Sequence, residues 1–309
     1  MNIAVTGASG FIGMELLAVL NKRNDVTVTA LTRDASSYED SDRCVWRSTD
    51  YSEDSLTEIF AGSGCTSSAC DAVIHLAGVR GTENDPEKFA VNVSMTENIL
   101  KAMAASGVKR IVFASTMSVY NDDSLMPWAE DVPLKGRSCY GDSKADCEDL
   151  IKRYAAAQSD DANASLTYGI ARIAQVLGEG EKRRGMMNVF LDTARDHGTI
   201  KVMGKSINKK QYIYVKDLVN VLTVLACGNE HFKADENIIV NVGMSDAYTN
   251  LEVAQTVNKV FGNMTPIDYD DSYPEKGRPF HMDITRLKGK LGYEPLDMES
   301  ALAQMKSDK

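Results

Sequence analysis

Two periodicities organise the first two-thirds of the chain. Short apolar runs rich in β-branched residues predict strands over 2–6, 26–31, 43–46, 72–76, 110–114 and 165–171. Between them, apolar positions recur three and four residues apart and predict helices over 11–22, 53–60, 86–106 and 138–157. Strand and helix in alternation imply an α/β fold, a Rossmann-type doubly wound parallel sheet with helices on both faces. The small-residue stretch 61–70 reads as a surface loop. After Arg172 the pattern loosens. A polar, glycine-bearing connector covers 178–185, a helix follows over about 186–196, and a late strand at 238–241 returns to the sheet. Helical stretches at 250–261 and 284–309 flank a loop carrying Pro266, Pro274 and Pro279. The expected division is a larger domain, 1–172 with about 208–243, and a smaller discontinuous one, about 173–207 with 244–309. The smaller domain is expected to cover the C-terminal ends of the strands, the edge where open α/β sheets bind ligands.

The first strand ends in a glycine turn, Gly7-Ala-Ser9-Gly10-Phe11-Ile12-Gly13, that opens directly into the first helix. This arrangement sets a helix N-terminus against a phosphate. Gly7 can take the backbone angles of the turn, Gly10 lets the main chain approach a pyrophosphate, and Gly13 lets helix and sheet close together. An ordinary glycine-rich turn has the same spacing, so other residues must decide. Tyr140 and Lys144 are four apart in a predicted helix and share a face. An ammonium beside a phenol favours phenolate, and a tyrosine so tuned is a general base for an alcohol or an acid for a ketone. Upstream, the strand from Arg110 runs into Ser115, Thr116 and Ser118 at its C-terminal end, where a hydroxyl facing the same crevice would hold the reacting oxygen and strand-end capping is the ordinary alternative.

Together these segments resemble the extended short-chain dehydrogenase/reductase superfamily, in its NAD(P)-dependent nucleotide-sugar epimerase/dehydratase branch. The matching stretches are 6–13, Val73-Ile-His-Leu-Ala-Gly78, Asn92-Val, 107–115, Tyr140-Gly-Asp-Ser-Lys144, Tyr212-Ile-Tyr-Val-Lys-Asp217 and Leu291-Gly-Tyr-Glu-Pro295. The resemblance implies hydride transfer between a nicotinamide and a carbinol carbon, with Thr116, Tyr140 and Lys144 as the catalytic set. It implies cofactor contacts from the glycine turn, from Asp50 and Tyr51 near the adenine, from Leu76, Ala77 and Gly78, and from Asn92 and Ile173. Lys144 would also hold the nicotinamide ribose. Its substrate side would comprise Ser118, Gln175, Lys210, Arg278 and His281. Related folds pair through the helices bearing Asn92 and Tyr140, so a homodimer face of Met95, Leu100, Met103, Leu150 and Tyr154 is a further expectation.

Several positions depart from the family pattern. Arg172 is followed by Ile173 instead of proline, Lys210 stands where an arginine is usual, and Arg278-Pro-Phe-His281 replaces Arg-Pro-Gly-Asp. Lysine neutralises phosphate without the bidentate fork of arginine. Met117-Ser118 replace the acidic pair that marks dehydratases, which ranks dehydratase below 4-epimerase and 4-keto-sugar reductase. His281 and Lys210 keep open an NADPH-dependent carbonyl reductase acting on a non-nucleotide substrate. A non-catalytic NAD(P) sensor ranks lower, because Thr116, Tyr140 and Lys144 are all present. The second strand ends at Thr32-Arg33, where NAD binders place an acid for the ribose 2′-hydroxyl. An arginine there clamps a 2′-phosphate, which favours NADP(H) over NAD(H).

Composition narrows the partners. The 309 residues carry a net charge of −10, with acids spread along the chain, which argues against nucleic acid. No uninterrupted apolar stretch approaches membrane-spanning length, and no export signal precedes Ile3. The six cysteines lack metal-site spacing, so no metal is expected; they are expected to be thiols in a cytoplasmic protein.

Overall fold

The computed structural model describes residues 1–62, 69–157, 165–181, 185–275 and 277–308. The large sheet is built from β1 (Asn2–Thr6), β2 (Thr27–Thr32), β3 (Cys44–Ser48), β4 (Ala72–His75), β5 (Arg110–Thr116), β6 (Thr167–Ile173) and β10 (Ile238–Val242). They stand in the order β10-β6-β5-β4-β1-β2-β3, every neighbouring pair parallel. Strand order therefore reverses between β1 and β4, the switch point at which α/β sheets of this type open a ligand crevice.

Alternation along the strands sorts side chains into two cores. Ile3, Val5, Ile74 and Val112 face α1 (Phe11–Leu20) and α6 (Val215–Cys227). Ala4, Val73, Ile111 and Phe113 face α2 (Glu53–Phe60), α3 (Pro86–Ser106) and α4 (Cys139–Ala157). The helix ends follow local chemistry. Asp85 accepts from the Lys88 N–H ahead of Pro86, and Gly107 closes α3 in the left-handed region. Leu100 and Met103, expected in a dimer face, are buried in the second core, and Met95, Leu150 and Tyr154 pack at its margin.

The remainder forms two smaller sheets and further helices. β7 (Gln175–Leu177), β9 (Lys210–Tyr214) and β11 (Ala247–Tyr248) form a small sheet, and β8 (Lys201–Met203) pairs with β12 (Asp268–Asp270). Residues 210–214 thus build the small sheet, and the chain returns to the large one through α6. Of the remaining helices, α7 (Asn250–Phe261) packs against β8, α5 (Met186–Arg195) and α9 (Met298–Ser307), while α8 (Thr285–Leu291) lies against β10 of the large sheet. The single helical stretch expected over 284–309 is two helices: Gly292, at φ 63°, ends α8, and Pro295 follows before α9.

Parts of the 61–70 loop and the 178–185 connector, and Cys65, lie outside the described residues. Cys44, Cys70, Cys139, Cys147 and Cys227 are free thiols. Among the described residues no helix is long and apolar enough to cross a membrane.

Candidate active site

The glycine turn sits at the switch point, pressed against the end of β4. Gly7 takes φ 68°, and a Cβ on it would lie 2.8 Å from the Ala77 nitrogen. A Cβ on Gly13 would lie 2.5 Å from the carbonyl oxygens of Gly7 and Ala8. Thr6 ties the two strand ends together, its carbonyl accepting from Leu76 N–H at 3.3 Å and its Oγ1 from Ala77 N–H at 3.2 Å. Gly10 is the N-cap of α1 and offers no side chain to cap it. The N–H groups of Phe11, Ile12 and Gly13 therefore have no intrahelical partner and meet the positive end of the helix dipole. A cradle stripped of Cβ atoms and lined by free N–H donors fits a dinucleotide pyrophosphate.

The adenosine end is less simple than the sequence suggests. The Ser9 and Thr32 hydroxyls bond each other at 2.9 Å, and Arg33 follows them, exposed. Asp50 is exposed and accepts from Ser52 N–H at 2.9 Å. Tyr51 is buried at φ 62°, and its hydroxyl accepts from Gly7 N–H at 3.2 Å. Tyr51 thus braces the glycine turn from beneath. Asn92 is likewise a brace: its amide bonds both backbone groups of Val79, at 2.7 and 3.0 Å, and donates to Ser143 Oγ at 3.2 Å.

The hydroxyl and amine candidates converge beside this turn. Thr116 ends β5, opposite Ile173 in the ladder. Tyr140 occupies the first turn of α4 with its ring against Phe89, centroids 5.9 Å apart. Burial pushes the Tyr140 phenol up, opposed by the Arg80 guanidinium and by a hydrogen bond with the Thr116 side chain. Lys144 lies one turn further on, its Nζ donating to the Ala114 carbonyl at 2.8 Å and 4.4 Å from the Phe113 ring centre. Burial pulls the Lys144 ammonium down to about 8. Its Nζ is 3.7 Å from where a Cβ on Gly78 would stand, so it borders the 76–78 segment.

Lys144, expected from its spacing to tune Tyr140, donates to a strand carbonyl, and the Arg80 guanidinium is a further cation that acts to lower the Tyr140 phenol. A tyrosine kept protonated by burial is a hydrogen-bond donor and proton donor at neutral pH.

Ser115 faces the other way, donating to Glu148 Oε1 at 2.5 Å. Glu148 is fully buried and forms an ion pair with Arg172, 2% exposed, with Nη2 to Oε2 at 2.7 Å and Nε to both oxygens at 3.1 and 3.2 Å. Arg172 Nη1 also donates to the Tyr120 hydroxyl at 2.7 Å and the Glu130 carbonyl at 2.8 Å. The pair joins α4 to β6 directly behind Tyr140, Lys144 and Thr116.

The expected substrate residues divide into two groups. Ser118 stays near Thr116, its N–H donating to Thr116 Oγ1 at 3.2 Å and its carbonyl accepting from Arg137 N–H at 3.0 Å. Lys210, Arg278 and His281 lie where residues 278–282 run beside β9 and the loop after β5, each side chain with partners of its own. Gln211 N–H donates to the Phe280 carbonyl at 3.0 Å, and Trp128 N–H to the His281 carbonyl at 3.0 Å. Lys210 Nζ donates to Asn250 Oδ1 at 3.4 Å, and burial lowers its pKa. The His281 ring lies 3.3 Å from the Ser245 carbonyl. Gln175 joins this side through β7, opposite Tyr212 in the ladder. Sequence reading missed Arg80, Glu148, and the pairing of Arg137 with Asp123. The four-residue spacing from Lys144 to Glu148 was the one available local signal.

A model of the NAD-dependent epimerase/dehydratase family matches residues 3–243. The chain belongs to that family. It is an enzyme of the extended short-chain dehydrogenase/reductase type, with the Rossmann sheet of the epimerase/dehydratase family. Its curated relatives in the epimerase/dehydratase family include the UDP-glucose 4-epimerase of Bacillus subtilis, 27% identical, over 95% of this chain and 92% of that one. The dTDP-4-dehydro-6-deoxyglucose reductase of Escherichia coli is 26% identical over the same shares of each, 95% and 92%. Among solved structures, the UDP-N-acetylglucosamine 4-epimerase of Bacillus cereus superposes with a TM-score of 0.83 at 27% identity, covering 99% of this chain and 95% of that one.

Proposed function

We propose that the protein catalyses hydride transfer at a carbinol or keto carbon of a sugar nucleotide, as a 4-keto-sugar reductase or a 4-epimerase. The observation that carries this reading is the convergence of Thr116, Tyr140 and Lys144 beside a phosphate cradle at the sheet's switch point. The relatives named above act on UDP- and dTDP-linked sugars, which supports a sugar nucleotide as substrate.

The chain's own groups divide the work. The glycine turn and α1 N-terminus hold a pyrophosphate, while Lys144 and Tyr140 border the place for a nicotinamide ribose. A bound nicotinamide cofactor would supply or accept the hydride. Tyr140 then gives a proton to the substrate oxygen in reduction, or takes one in oxidation, and Thr116 hydrogen-bonds the same oxygen. Arg80 opposes the burial that holds the phenol protonated, which brings Tyr140 nearer the pKa that proton exchange needs. Arg33 beside Thr32 favours the reductive direction, since a 2′-phosphate on the cofactor suits a guanidinium.

The test is Tyr140→Phe, assayed by NADPH oxidation with a 4-keto sugar nucleotide and by interconversion of UDP-sugar 4-epimers. Removing the proton donor should lower kcat by about 10²–10⁴ while cofactor binding persists. A Tyr140→Phe enzyme as active as wild type would overturn the assignment. Stoichiometric NADPH consumption identifies a reductase, and turnover without net cofactor change an epimerase.

A further inference from the structure

Arg278 is not an open guanidinium. Its Nη2 donates to Asp123 Oδ2 at 2.9 Å and its Nη1 to Asn121 Oδ1 at 3.1 Å. The other oxygen of that carboxylate accepts from Arg137 Nη2. The two arginines are held very differently. Arg137 is 8% exposed and lies between the rings of Trp128 and Phe280, 4.7 and 4.4 Å from their centres. Its Nε donates to the Tyr120 carbonyl at 2.9 Å, and its Nη1 to the Pro279 carbonyl at 3.4 Å. Arg278 is 55% exposed, and Asp123 stands between the two at 33%. A fixed arginine thus anchors a carboxylate, which in turn occupies a solvent-facing one.

We propose that Asp123 is a specificity-determining residue, an internal anion that a nucleoside diphosphate must displace from Arg278. This rests on the reading of Arg278 as a diphosphate-binding residue of a sugar-nucleotide enzyme. Displacement leaves no orphaned charge, because Asp123 keeps its bond to Arg137. A singly charged ligand brings Arg278 no more charge than the tethered carboxylate already supplies. A diphosphate brings more, so the exchange favours dianionic ligands. Two guanidinium groups sharing one carboxylate retain one positive charge, which stays available to draw the incoming phosphate.

Calorimetric titration of the enzyme with uridine diphosphate and with inorganic pyrophosphate tests this. Asp123→Asn should tighten both by about two- to fivefold, the worth of a half-exposed ion pair. Asp123→Glu, which keeps the charge, should stay within twofold of wild type, about the resolution of such a comparison. Arg278→Ala should weaken binding, and Asp123→Asn added to it should then have no effect. If Arg278→Ala weakens binding but Asp123→Asn leaves it unchanged or weakens it, Asp123 is no competitor and the role of Arg278 stands. If Arg278→Ala changes nothing, both the role of Arg278 and the inference fall.

Discussion

Replacing Glu148 by methionine separates charge from volume at the centre of the molecule. The two side chains are close in size, so if packing were all that mattered the cost would stay below about 1.5 kcal/mol. The structure argues for more. Glu148 is the only carboxylate shown bonded to the Arg172 guanidinium among the described residues, and both side chains are sealed from water. Without it, the partners Arg172 keeps are the Tyr120 hydroxyl and ring and the Glu130 carbonyl, none of them a charge. An uncompensated charge left in the interior costs about 3–5 kcal/mol. At a urea m-value of about 3 kcal/mol per M, the unfolding midpoint should fall by roughly 1 M or more. The companion measurement replaces both residues by methionine. Removing the pair together spares the desolvation of both ions, so the double variant should be more stable than Glu148→Met alone. Urea unfolding followed by circular dichroism reads both quantities. A loss below about 1.5 kcal/mol, or a double variant whose losses simply add, would refute charge compensation as the reason for the pair.

Other expectations follow from the cradle and from buried titratable groups. Gly13→Ala places a methyl 2.5 Å from two carbonyl oxygens, so it should abolish NAD(P)(H) binding by fluorescence titration and lower the melting temperature; retained affinity would show that the turn is not the phosphate site. Arg33→Ala should lower the ratio of NADPH to NADH affinity by about tenfold, the worth of a lost charge-assisted contact, and an unchanged ratio would remove the preference for NADP(H). His75 is bonded on both ring nitrogens, to Thr6 and Thr96, and burial pulls its pKa from 6.5 to about 3. Between those values the unfolded chain binds a proton that the folded one refuses, so stability falls as pH drops through that window. From pH 6.5 to 5 the loss is about 2 kcal/mol. His75→Asn should remove that part of the slope in urea unfolding at the two pH values, and parallel curves would contradict it.

Local patterns carried most of the architecture. The strands and early helices fall within two residues of their expected limits because burial on both sheet faces leaves an unbroken apolar signature. The glycine turn and the Tyr140–Lys144 spacing are local too. What escaped was set by distant neighbours. Arg172 stood out only for lacking the proline that usually follows it, yet its partner is Glu148 on another element, and no spacing announces that a charge will be buried. Asp123 and Arg278 are joined across 155 residues, half of the chain. Arg80 lies on the loop after β4, and only folding turns it toward Tyr140. The break at Gly292 was visible as glycine followed by Pro295, but a continuing apolar period outweighed it.

The junctions between the two sheets govern how the crevice can change its width. Only Ala174 separates β6 from β7, and its N–H still donates to Val242 at 2.9 Å. Tyr214 ends β9 and is itself the cap of α6, so that passage has no linker at all. Such passages tie the small sheet directly to the large one. The loops that carry Asp123 and Arg278 are tied through their backbones as well, Trp128 N–H donating to the His281 carbonyl at 3.0 Å and Asp283 N–H to the Trp128 carbonyl at 2.8 Å. The exchange proposed at Asp123 and Arg278 thus asks side chains to move and not the loops that carry them.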